Sequence, residues 1–311
     1  MSIKQESAIV RPLRKKFSHD QNKRISTSYM MLLPWLLCYA LVVLIPILVV
    51  VIISFTDFNV FQFPFFVGLD NYFNLMVNDT VFIKALSNTV VFALDTGPVS
   101  FFLCFLVAWL INDFRPLLRA LITLVFYAPS ISGTAYVIWQ FIFSPDQYGI
   151  ANAFLQRLNL INEPLLWFQD PAMSLGLVML VQLWLSLGAG FLAFIAGLQN
   201  INGELYEAAA IDGIRNRWEE LWYVTLPCMK PMLLFGGINQ IAVAFSVSDI
   251  SMVLTGFPSI QYSAHTLAIH AYDYGIIRYE MGYSAAISVI QFVLILFTYK
   301  IFTLILSRTG E

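Results

Sequence analysis

The chain has 311 residues, of which 59% are hydrophobic and only 12% are charged. Soluble domains of ordinary composition carry about 25% charged residues, and the apolar residues here come in long uncharged runs, which predicts a polytopic membrane protein. The net charge of −2 provides no global basic field, which argues against nucleic acid as a partner.

Six apolar runs are long enough to cross a membrane as helices. They cover residues 29–54, 86–112, 120–143, 172–198, 229–254 and 279–305. Asp95 and Gly97-Pro98 are expected to interrupt the second run. The predicted fold class is therefore all-α, with six transmembrane helices in one domain over residues 29–306.

Charge placement predicts the orientation of this domain. A polar, basic tail, residues 1–28, precedes the first run, and residues 307–311 follow the last. Of the 17 Lys and Arg residues, only Lys84, Arg157 and Arg278 fall on the side opposite to the tail. Lys and Arg concentrate on the cytoplasmic side of membrane proteins. We therefore expect both termini to be cytoplasmic, together with the loop over residues 199–228.

Neither a metal site nor a nucleotide site is predicted. The three cysteines, Cys38, Cys104 and Cys228, lie in or beside apolar runs and form no CxxC or Cys/His cluster, so we interpret them as packing residues. The sequence also has no Gly-x-x-x-x-Gly-Lys-[Ser/Thr] loop. If transport uses ATP, the ATPase must be a separate chain, and this chain must then offer a docking surface.

The polar loop over residues 199–228 has the pattern of structured backbone. Glu204 to Ile211 are good helix formers, and Gly213 stands where such a helix would stop. We expect Gly213 to bend the chain with a positive φ, which residues with a Cβ resist. Residues 218–225 are predicted to form a second short helix before Leu226-Pro227 leads into the fifth run.

This loop resembles the EAA loop of permease subunits of ATP-binding-cassette (ABC) importers. The residues that carry the resemblance are Glu207, Ala208, Ala209, Asp212, Gly213, Leu226 and Pro227. In that family the loop is a coupling helix that docks on the ATPase subunit. The Glu207 carboxylate is expected to pair with a basic residue of the ATPase, and the two alanines to keep the helix face thin. Asp212 has two open roles, in docking or in bonding the backbone at the bend.

Other stretches are similar to the carbohydrate-importing, maltose-type branch of the same family, and the similarity covers about residues 30 to 306. These stretches are 68–72 (GLDNY), 85–89 (ALSNT), 148–152 (YGIAN), 167–171 (WFQDP), 196–199 (AGLQ), Asp249 and 253–256 (VLTG). Two departures stand out. Asn202-Gly203 replaces the usual proline, so a looser turn into the coupling helix is expected, and Gly256-Phe257-Pro258 replaces the usual Gly-Gly-Gly-Pro.

The resemblance implies the fold of an ABC type I importer permease in a bacterial cytoplasmic membrane. It also implies a second, homologous permease subunit, two ATPase subunits that bind ATP and Mg, and an extracytoplasmic solute-binding protein. The substrate would be a sugar or oligosaccharide. This chain itself would then be no enzyme and would hold no cofactor.

Polar residues inside the last three runs are the predicted substrate path, because polar groups within a membrane tend to face a cavity or a partner helix. They are Gln182, Trp184, Gly188, Asn239, Gln240, Ser246, Ser248, Asp249, Ser284, Ser288 and Gln291. Amides and hydroxyls suit sugar hydroxyl groups, and an aromatic ring suits the C–H face of a sugar. Hydrogen bonding between helices is an equally open role for each of them.

Three other functions stay open at this point. A glycerol-phosphate importer of the same architecture would favour Arg or Lys inside the runs, where we find only Lys300, apart from Lys230 at the entry to the fifth run. A membrane-embedded enzyme would need a cluster of His, Asp or Glu, or a nucleophile beside a base, and no such pattern recurs. An ion-coupled carrier would not need the loop over residues 199–228.

Overall fold

The structure is a computed structural model that describes residues 29–308. The predicted N-terminal tail, residues 1–28, and residues 309–311 lie outside the described residues. The chain divides into two units, Met1–Ile53 and Ser54–Glu311, and the described part of the first unit is one helix. Within the described residues an isolated bridge between Thr56 and Phe66 is the only β-pairing, so the all-α fold class is confirmed.

The helices differ widely in length, and several are too short to cross a membrane. In chain order they are α1 (Tyr29–Ile53), α2 (Asp70–Val77), α3 (Thr80–Asn112), α4 (Pro116–Ile131), α5 (Ala135–Ile142, which opens with a 3₁₀ turn), α6 (Ile150–Arg157), α7 (Ser174–Leu185), α8 (Ala189–Gln199), α9 (Gly203–Ile211), α10 (Arg217–Phe245), α11 (Asp249–Thr255), α12 (Leu267–Tyr272) and α13 (Met281–Arg308). A π turn, Asp273–Ile277, continues α12.

Five stretches of the described chain are long and apolar enough to cross a membrane: α1, α3, α7 with α8, α10 and α13. The helices α4 and α5 make a sixth if they count as one span, although the pair is bent by 85°. The prediction of six apolar segments is therefore confirmed with one of them sharply bent. The bend falls at residues 132–134, which include Gly133 with φ 64°.

Two expectations about helix boundaries are wrong. First, α3 continues through Asp95 and Pro98 without interruption. Pro98 leaves one carbonyl of the preceding turn without its usual N–H donor, and membrane helices tolerate such a proline within a packed bundle. Second, α10 begins at Arg217, so the predicted short helix over residues 218–225 is the first part of the fifth span.

The helix α10 continues through Pro227 for a local reason. Proline in a helix lacks an N–H, and its ring clashes with the carbonyl four residues earlier. The turn before Pro227, Leu221–Thr225, is a π turn, whose wider ring makes room for such a defect. Leu221 and Val224 of this turn are buried, so packing continues across it. The helix therefore absorbs Leu226-Pro227 instead of stopping there.

The helices α3, α8 and α10 pack around a shared aromatic core. Phe105 of α3 meets Phe194 of α8 edge to face, with ring centroids 5.8 Å apart, and Met229 of α10 is buried in the same cluster. A Cβ at Gly236 of α10 would clash with the Phe194 ring, so this glycine permits the close approach of α8 and α10. Small residues at such contacts are typical of membrane bundles.

The helix α3 extends between two clusters of polar contacts in this unit, one at each of its ends. Its last residues lie beside the start of α10, where Arg217 pairs with Asp113 at 2.6 Å. Its first residues lie beside α12, where His270 bonds Asp79 at 3.0 Å. We refer to the end with the Arg217–Asp113 pair as the α9 end, because α9 immediately precedes α10 in the chain. The end with the His270–Asp79 contact is the α12 end.

Candidate functional site

The helix α9 has a defined beginning. The Asn202 side-chain oxygen accepts a hydrogen bond from the Glu204 backbone N–H at 3.1 Å, which satisfies one of the free donors at a helix start. The Asn202 amide also donates to the Glu204 carboxylate at 3.1 Å. Asn202 thus supplies a cap that proline has no side-chain group to provide, and the looser turn expected at Asn202-Gly203 stays a prediction.

The end of α9 is a Schellman motif. The Ile214 N–H donates to the Ala209 carbonyl at 3.0 Å, and the Gly213 N–H donates to the Ala210 carbonyl at 3.3 Å. Gly213 has φ 100°, which confirms the predicted positive φ and matches the glycine preference of this motif. Backbone groups thus satisfy the bend, and the exposed Asp212 side chain makes no hydrogen bond to them among the described residues.

The two faces of α9 differ in what they contact. Ala209 is buried, and the Tyr206 hydroxyl bonds the Thr225 hydroxyl of α10 at 3.0 Å. Glu207 and Ala208 are exposed, and Ile211 is 87% exposed. Of the two alanines expected to thin the outward face, Ala208 lies on it, whereas Ala209 packs inward against the protein. The outward face therefore combines a carboxylate, a small side chain and a large aliphatic one.

The start of α10 is also fixed locally. The Asn216 side-chain oxygen accepts from the Glu219 N–H at 2.9 Å, and the Glu219 carboxylate accepts from the Arg215 N–H at 2.9 Å. This reciprocal arrangement resembles a capping box. The loop between the two helices is held by bonds at both of its ends, so α9 and α10 keep a set relation through a short connection.

One cluster at the α9 end was not predicted from the sequence. Arg217 pairs with Asp113 and lies over the Trp109 ring at 4.7 Å from its centroid. The rings of Trp109 and Trp218 lie 5.2 Å apart. These residues join the end of α3 to the start of α10. The only sequence signal was an acidic residue just after an apolar run, which gives no indication of a partner a hundred positions away.

Gln240, a predicted substrate-path residue, bonds only protein groups in this structure. It is 2% exposed. Its amide nitrogen donates to the Ser186 carbonyl at 3.1 Å and to the Cys104 sulfur at 3.2 Å, and its oxygen accepts from the Ser100 hydroxyl at 3.2 Å. The Gln240 amide thus adds a donor to the Ser186 carbonyl, which also accepts the Gly188 N–H at 2.7 Å at the break between α7 and α8. The structure therefore gives Gln240 contacts between helices, and its place in the substrate path stays a prediction.

The polar residues of α13 also bond backbone carbonyls. Gln291 donates to the Phe245 carbonyl at 2.9 Å, which the end of α10 leaves free, and Ser284 donates to the Ala271 carbonyl of α12 at 2.7 Å. Ser288 donates to the Ser284 carbonyl within α13 at 3.0 Å. These three side chains are half-buried, and their donors serve contacts within and between helices.

The remaining predicted path residues differ in how exposed their side chains are. Gln182 is buried. Ser246 and Asp249 are exposed at the break between α10 and α11, with Ser248 half-buried between them. Those that are half-buried elsewhere are Trp184, Gly188 and Asn239. Trp184 meets Trp139 of α5 edge to face at 5.6 Å. The accessible polar groups therefore concentrate where α10 ends.

A second unpredicted cluster lies at the α12 end, around Asp79. Its carboxylate accepts from the Phe82 N–H at 2.8 Å and the Tyr283 hydroxyl at 3.1 Å, and it contacts His270 Nε2 at 3.0 Å. His270 Nδ1 lies 3.2 Å from His265 Nε2. Both histidines are buried, with exposed fractions of 1% and 2%. The sequence shows these residues far apart, so only the fold brings them together.

The same end is tied to α3 by two residues of the Ala-Leu-Ser-Asn-Thr stretch. Asn88 donates to the carbonyls of Tyr262 and His265, each at 2.9 Å. The Thr89 hydroxyl accepts from the Leu267 N–H at 2.8 Å. These bonds hold the loop before α12 against α3, which gives this stretch a structural role.

Burial determines the protonation of the two histidines. It lowers the pKa of His265 to about 4 and also lowers the pKa of His270, although Asp79 acts in the opposite direction. Burial raises the pKa of the Asp79 carboxyl, but the Phe82 N–H and His270 outweigh it, and the pKa lies below its usual value. The cluster therefore holds neutral histidines beside a carboxylate at neutral pH.

The chain is a polytopic membrane protein by its fold, and comparisons with known proteins identify its family. No family model matches it. It is 32% identical over 270 residues to the arabinooligosaccharides transport system permease protein AraP of Bacillus subtilis (strain 168), with 86% of this chain and 84% of AraP covered. The probable ABC transporter permease protein YesP of the same organism is 28% identical over 305 residues, covering 95% and 94%. The chain belongs to the family of ABC sugar-transport permease subunits.

A solved structure shares the fold. It is the crystal structure of a bacterial alginate ABC transporter in complex with an alginate pentasaccharide-bound periplasmic protein. One of its chains superposes with a TM-score of 0.75 at 21% identity, covering 94% of this chain and 98% of that chain. The predicted ABC importer permease fold is thereby confirmed.

We predict that Gln240→Leu destabilises the protein without changing its affinity for substrate. The substitution removes the hydrogen bonds of Gln240 to Ser186 and Ser100, each worth about 0.5–1.5 kcal/mol, so the melting temperature in detergent should fall. The matched control is Asn239→Leu, because Asn239 is half-buried and makes no hydrogen bond among the described residues. A Gln240→Leu protein that melts like the wild type but fails to transport would instead support a role for Gln240 in the substrate path.

We predict that stability decreases as the pH falls from about 6.5 toward 4. Unfolded histidine has a pKa of about 6.5, whereas burial lowers that of His265 to about 4. Between these values the unfolded chain binds more protons, so acid favours unfolding by up to roughly 3 kcal/mol. Thermal unfolding of the purified protein over this pH range measures the effect.

His265→Gln is the matched variant for this measurement. Its amide can still donate to His270 but does not titrate. The pH dependence of its melting temperature should be shallower than that of the wild type, and equal slopes would contradict the assignment.

Proposed function

We propose that this chain is one of two transmembrane subunits of an ATP-driven importer of an oligosaccharide, fed by an extracytoplasmic binding protein. The observation that carries the proposal is α9, an exposed and doubly capped helix that presents Glu207 in a family of sugar-transport permeases. Relatives named for arabinooligosaccharide and lactose transport support the substrate class.

The exposed face of α9 has the chemistry of a protein contact. Ile211 is a large aliphatic side chain turned outward, with Glu207 on the same helix. A partner with a basic group and an apolar pocket would bury both, and the charge pair would orient the contact. We assign this partner to the ATPase subunits, which would hold ATP and Mg.

Movement of α9 would reach the spans through α10. The Tyr206–Thr225 bond joins the two helices, and α10 then runs unbroken from Arg217 to Phe245. A displacement of the coupling helix would therefore move a complete span as a rigid body, which is how alternating access works in other transporters.

The substrate path is proposed at the break that follows α10. Ser246, Ser248 and Asp249 supply hydroxyl and carboxylate groups there, and Trp184 and Asn239 are half-buried. None of the proposed path residues is Arg or Lys, whereas an anionic substrate calls for such groups. This composition favours a neutral sugar over a glycerol phosphate.

The assembly follows from the same family. The alginate transporter of the solved relative was crystallised with a periplasmic binding protein. We propose an equivalent partner for this chain, together with a second permease subunit. We place the assembly in a bacterial cytoplasmic membrane, with both termini and α9 on the cytoplasmic side, because Lys and Arg concentrate there.

We predict that Glu207→Lys weakens the docking of this subunit on the ATPase and lowers substrate-stimulated ATP hydrolysis. Reversing the charge in a desolvated ion pair costs about 2–5 kcal/mol, so ATP hydrolysis stimulated by the loaded binding protein should fall at least about 30-fold. The assay uses the complex in proteoliposomes, and immunoblotting of the membrane fraction verifies insertion.

Glu204→Lys is the matched control. Glu204 is exposed on the same helix, but its carboxylate already bonds Asn202. This variant should retain most of the stimulated hydrolysis, within about threefold of wild type. Equal losses in both variants, or normal coupling in Glu207→Lys, would refute the docking role of Glu207.

We predict that short neutral oligosaccharides, and not glycerol 3-phosphate, stimulate the complex. The complex and its binding protein are purified together through a tag on this chain, and ATP hydrolysis is measured with each compound. Stimulation by glycerol 3-phosphate alone would support the anionic alternative. Stimulation by neither, with uptake driven by an ion gradient, would point to a carrier.

A further inference from the structure

Residues 55–67 form a hairpin that exposes a group of phenylalanines. The Asp57 N–H donates to the Phe65 carbonyl at 3.1 Å, and the Val67 N–H donates to the Phe55 carbonyl at 2.9 Å. The side chains at the tip and in the second half of the hairpin are highly exposed, with Phe63 91% exposed. The exposed phenylalanines of this hairpin are Phe61, Phe63, Phe65 and Phe66.

The next helix, α2, shows three faces. Leu75 is fully buried, with Asn71 on the same side. Asn74 and Asn78 are exposed and line a shallow polar cavity of about 370 Å³. The residues of the third face are exposed and apolar, and they recur at helical spacing: Leu69, Phe73, Met76 and Val77.

A helix with this pattern separates three environments. One face packs on protein, one borders a polar cavity, and one carries only apolar side chains. Water does not favour four adjacent exposed apolar side chains, and large exposed apolar patches mark interaction sites. Helices that lie in a membrane interface show this combination of a polar face and an apolar face.

We propose that residues 55–77 form an interfacial membrane anchor, in which the phenylalanine hairpin and the apolar face of α2 insert into the headgroup and upper acyl region of the bilayer. The partner is a lipid surface, and the depth of insertion expected for such segments is about 5–10 Å. The anchor is part of the folded subunit and not a separate flexible element.

The position of the hairpin supports a lipid partner. The Gly282 N–H, in the first turn of α13, donates to the Phe58 carbonyl at 2.8 Å. Phe61 meets Tyr279, just before α13, with ring centroids 5.7 Å apart. Since α13 is long and apolar enough to span a membrane, its first turn lies at a bilayer boundary, and the hairpin lies there with it.

The base of the anchor is rigid. The Asn71 side chain donates to the carbonyls of Ser54 and Thr56, at 2.9 and 2.8 Å, and the Tyr72 hydroxyl bonds the Ser54 hydroxyl at 2.7 Å. These bonds fix α2 against the hairpin. They explain the Asn-Tyr pair of the Gly-Leu-Asp-Asn-Tyr stretch as the joint between the two parts of the anchor.

The charge pattern also fits a lipid partner. Between residues 55 and 83 the sequence contains no Lys or Arg, and its charged residues are Asp57, Asp70 and Asp79, so the segment offers no cation to an acidic protein partner. The Asp57 carboxylate in the hairpin accepts a hydrogen bond from the Phe65 N–H at 2.8 Å. The segment would therefore contact its partner mainly through its exposed apolar side chains.

Photo-crosslinking tests the proposal. p-Benzoylphenylalanine is placed at position 63, 73 or 74 in the full chain, and the transporter is purified with its native partners into lipid nanodiscs. Phe63 and Phe73 are on the proposed lipid side, and Asn74 is the matched control on the polar face of α2. After illumination, mass spectrometry identifies the attached molecule. Each complex is examined with and without the binding protein.

We expect lipid adducts at positions 63 and 73, at least about fivefold more abundant than at position 74, because an interfacial apolar face contacts acyl chains. Adducts to the second permease, to the ATPase or to the binding protein at 63 and 73 would overturn the proposal, because the surface would then be a protein interface. Equal yields of lipid adduct at all three positions would overturn it too. Thermal unfolding of each labelled complex verifies that the substitution leaves the fold intact.

Discussion

Every break of a helix within an apolar bundle releases backbone carbonyl groups that water cannot reach, and each of them needs a donor. In this protein, side chains of neighbouring helices supply those donors. Gln291 bonds the Phe245 carbonyl, and Gln240 adds a second donor to the Ser186 carbonyl, which also accepts the Gly188 N–H. The Thr266 hydroxyl donates to the Val247 carbonyl at 2.7 Å. These groups stabilise the break within the fourth span and the break that follows the fifth.

This constraint explains which part of the site the sequence could predict. Polarity within an apolar run is visible in the sequence, so Gln240 and Gln291 were identified as important. Their role depends on where the neighbouring helices break, and hydropathy does not encode that. The long runs themselves were predictable because apolar length is a property of composition along the chain, and Gly213 was predictable because few residues accept a positive φ.

Other features depend on contacts between residues distant in sequence. Asp79 meets His270, and Arg217 meets Asp113, only after the bundle has formed. The start of α10 was misjudged because Pro227 is a strong stop signal, whereas a π turn lets the helix pass through it. Local rules therefore predicted the end of α9 at Gly213 better than the length of the span that follows.

The unbroken course of α10 makes it a lever. At about 1.5 Å per residue, the 29 residues from Arg217 to Phe245 form a stiff rod. Its close contact with α8 at Gly236 and Phe194 lies nearer the Phe245 end than the Arg217 end. The half-exposed Arg217–Asp113 pair resists tilting only weakly. If the helix pivots at that contact, a sideways displacement of its start carries Ser246 and its neighbours in the opposite direction.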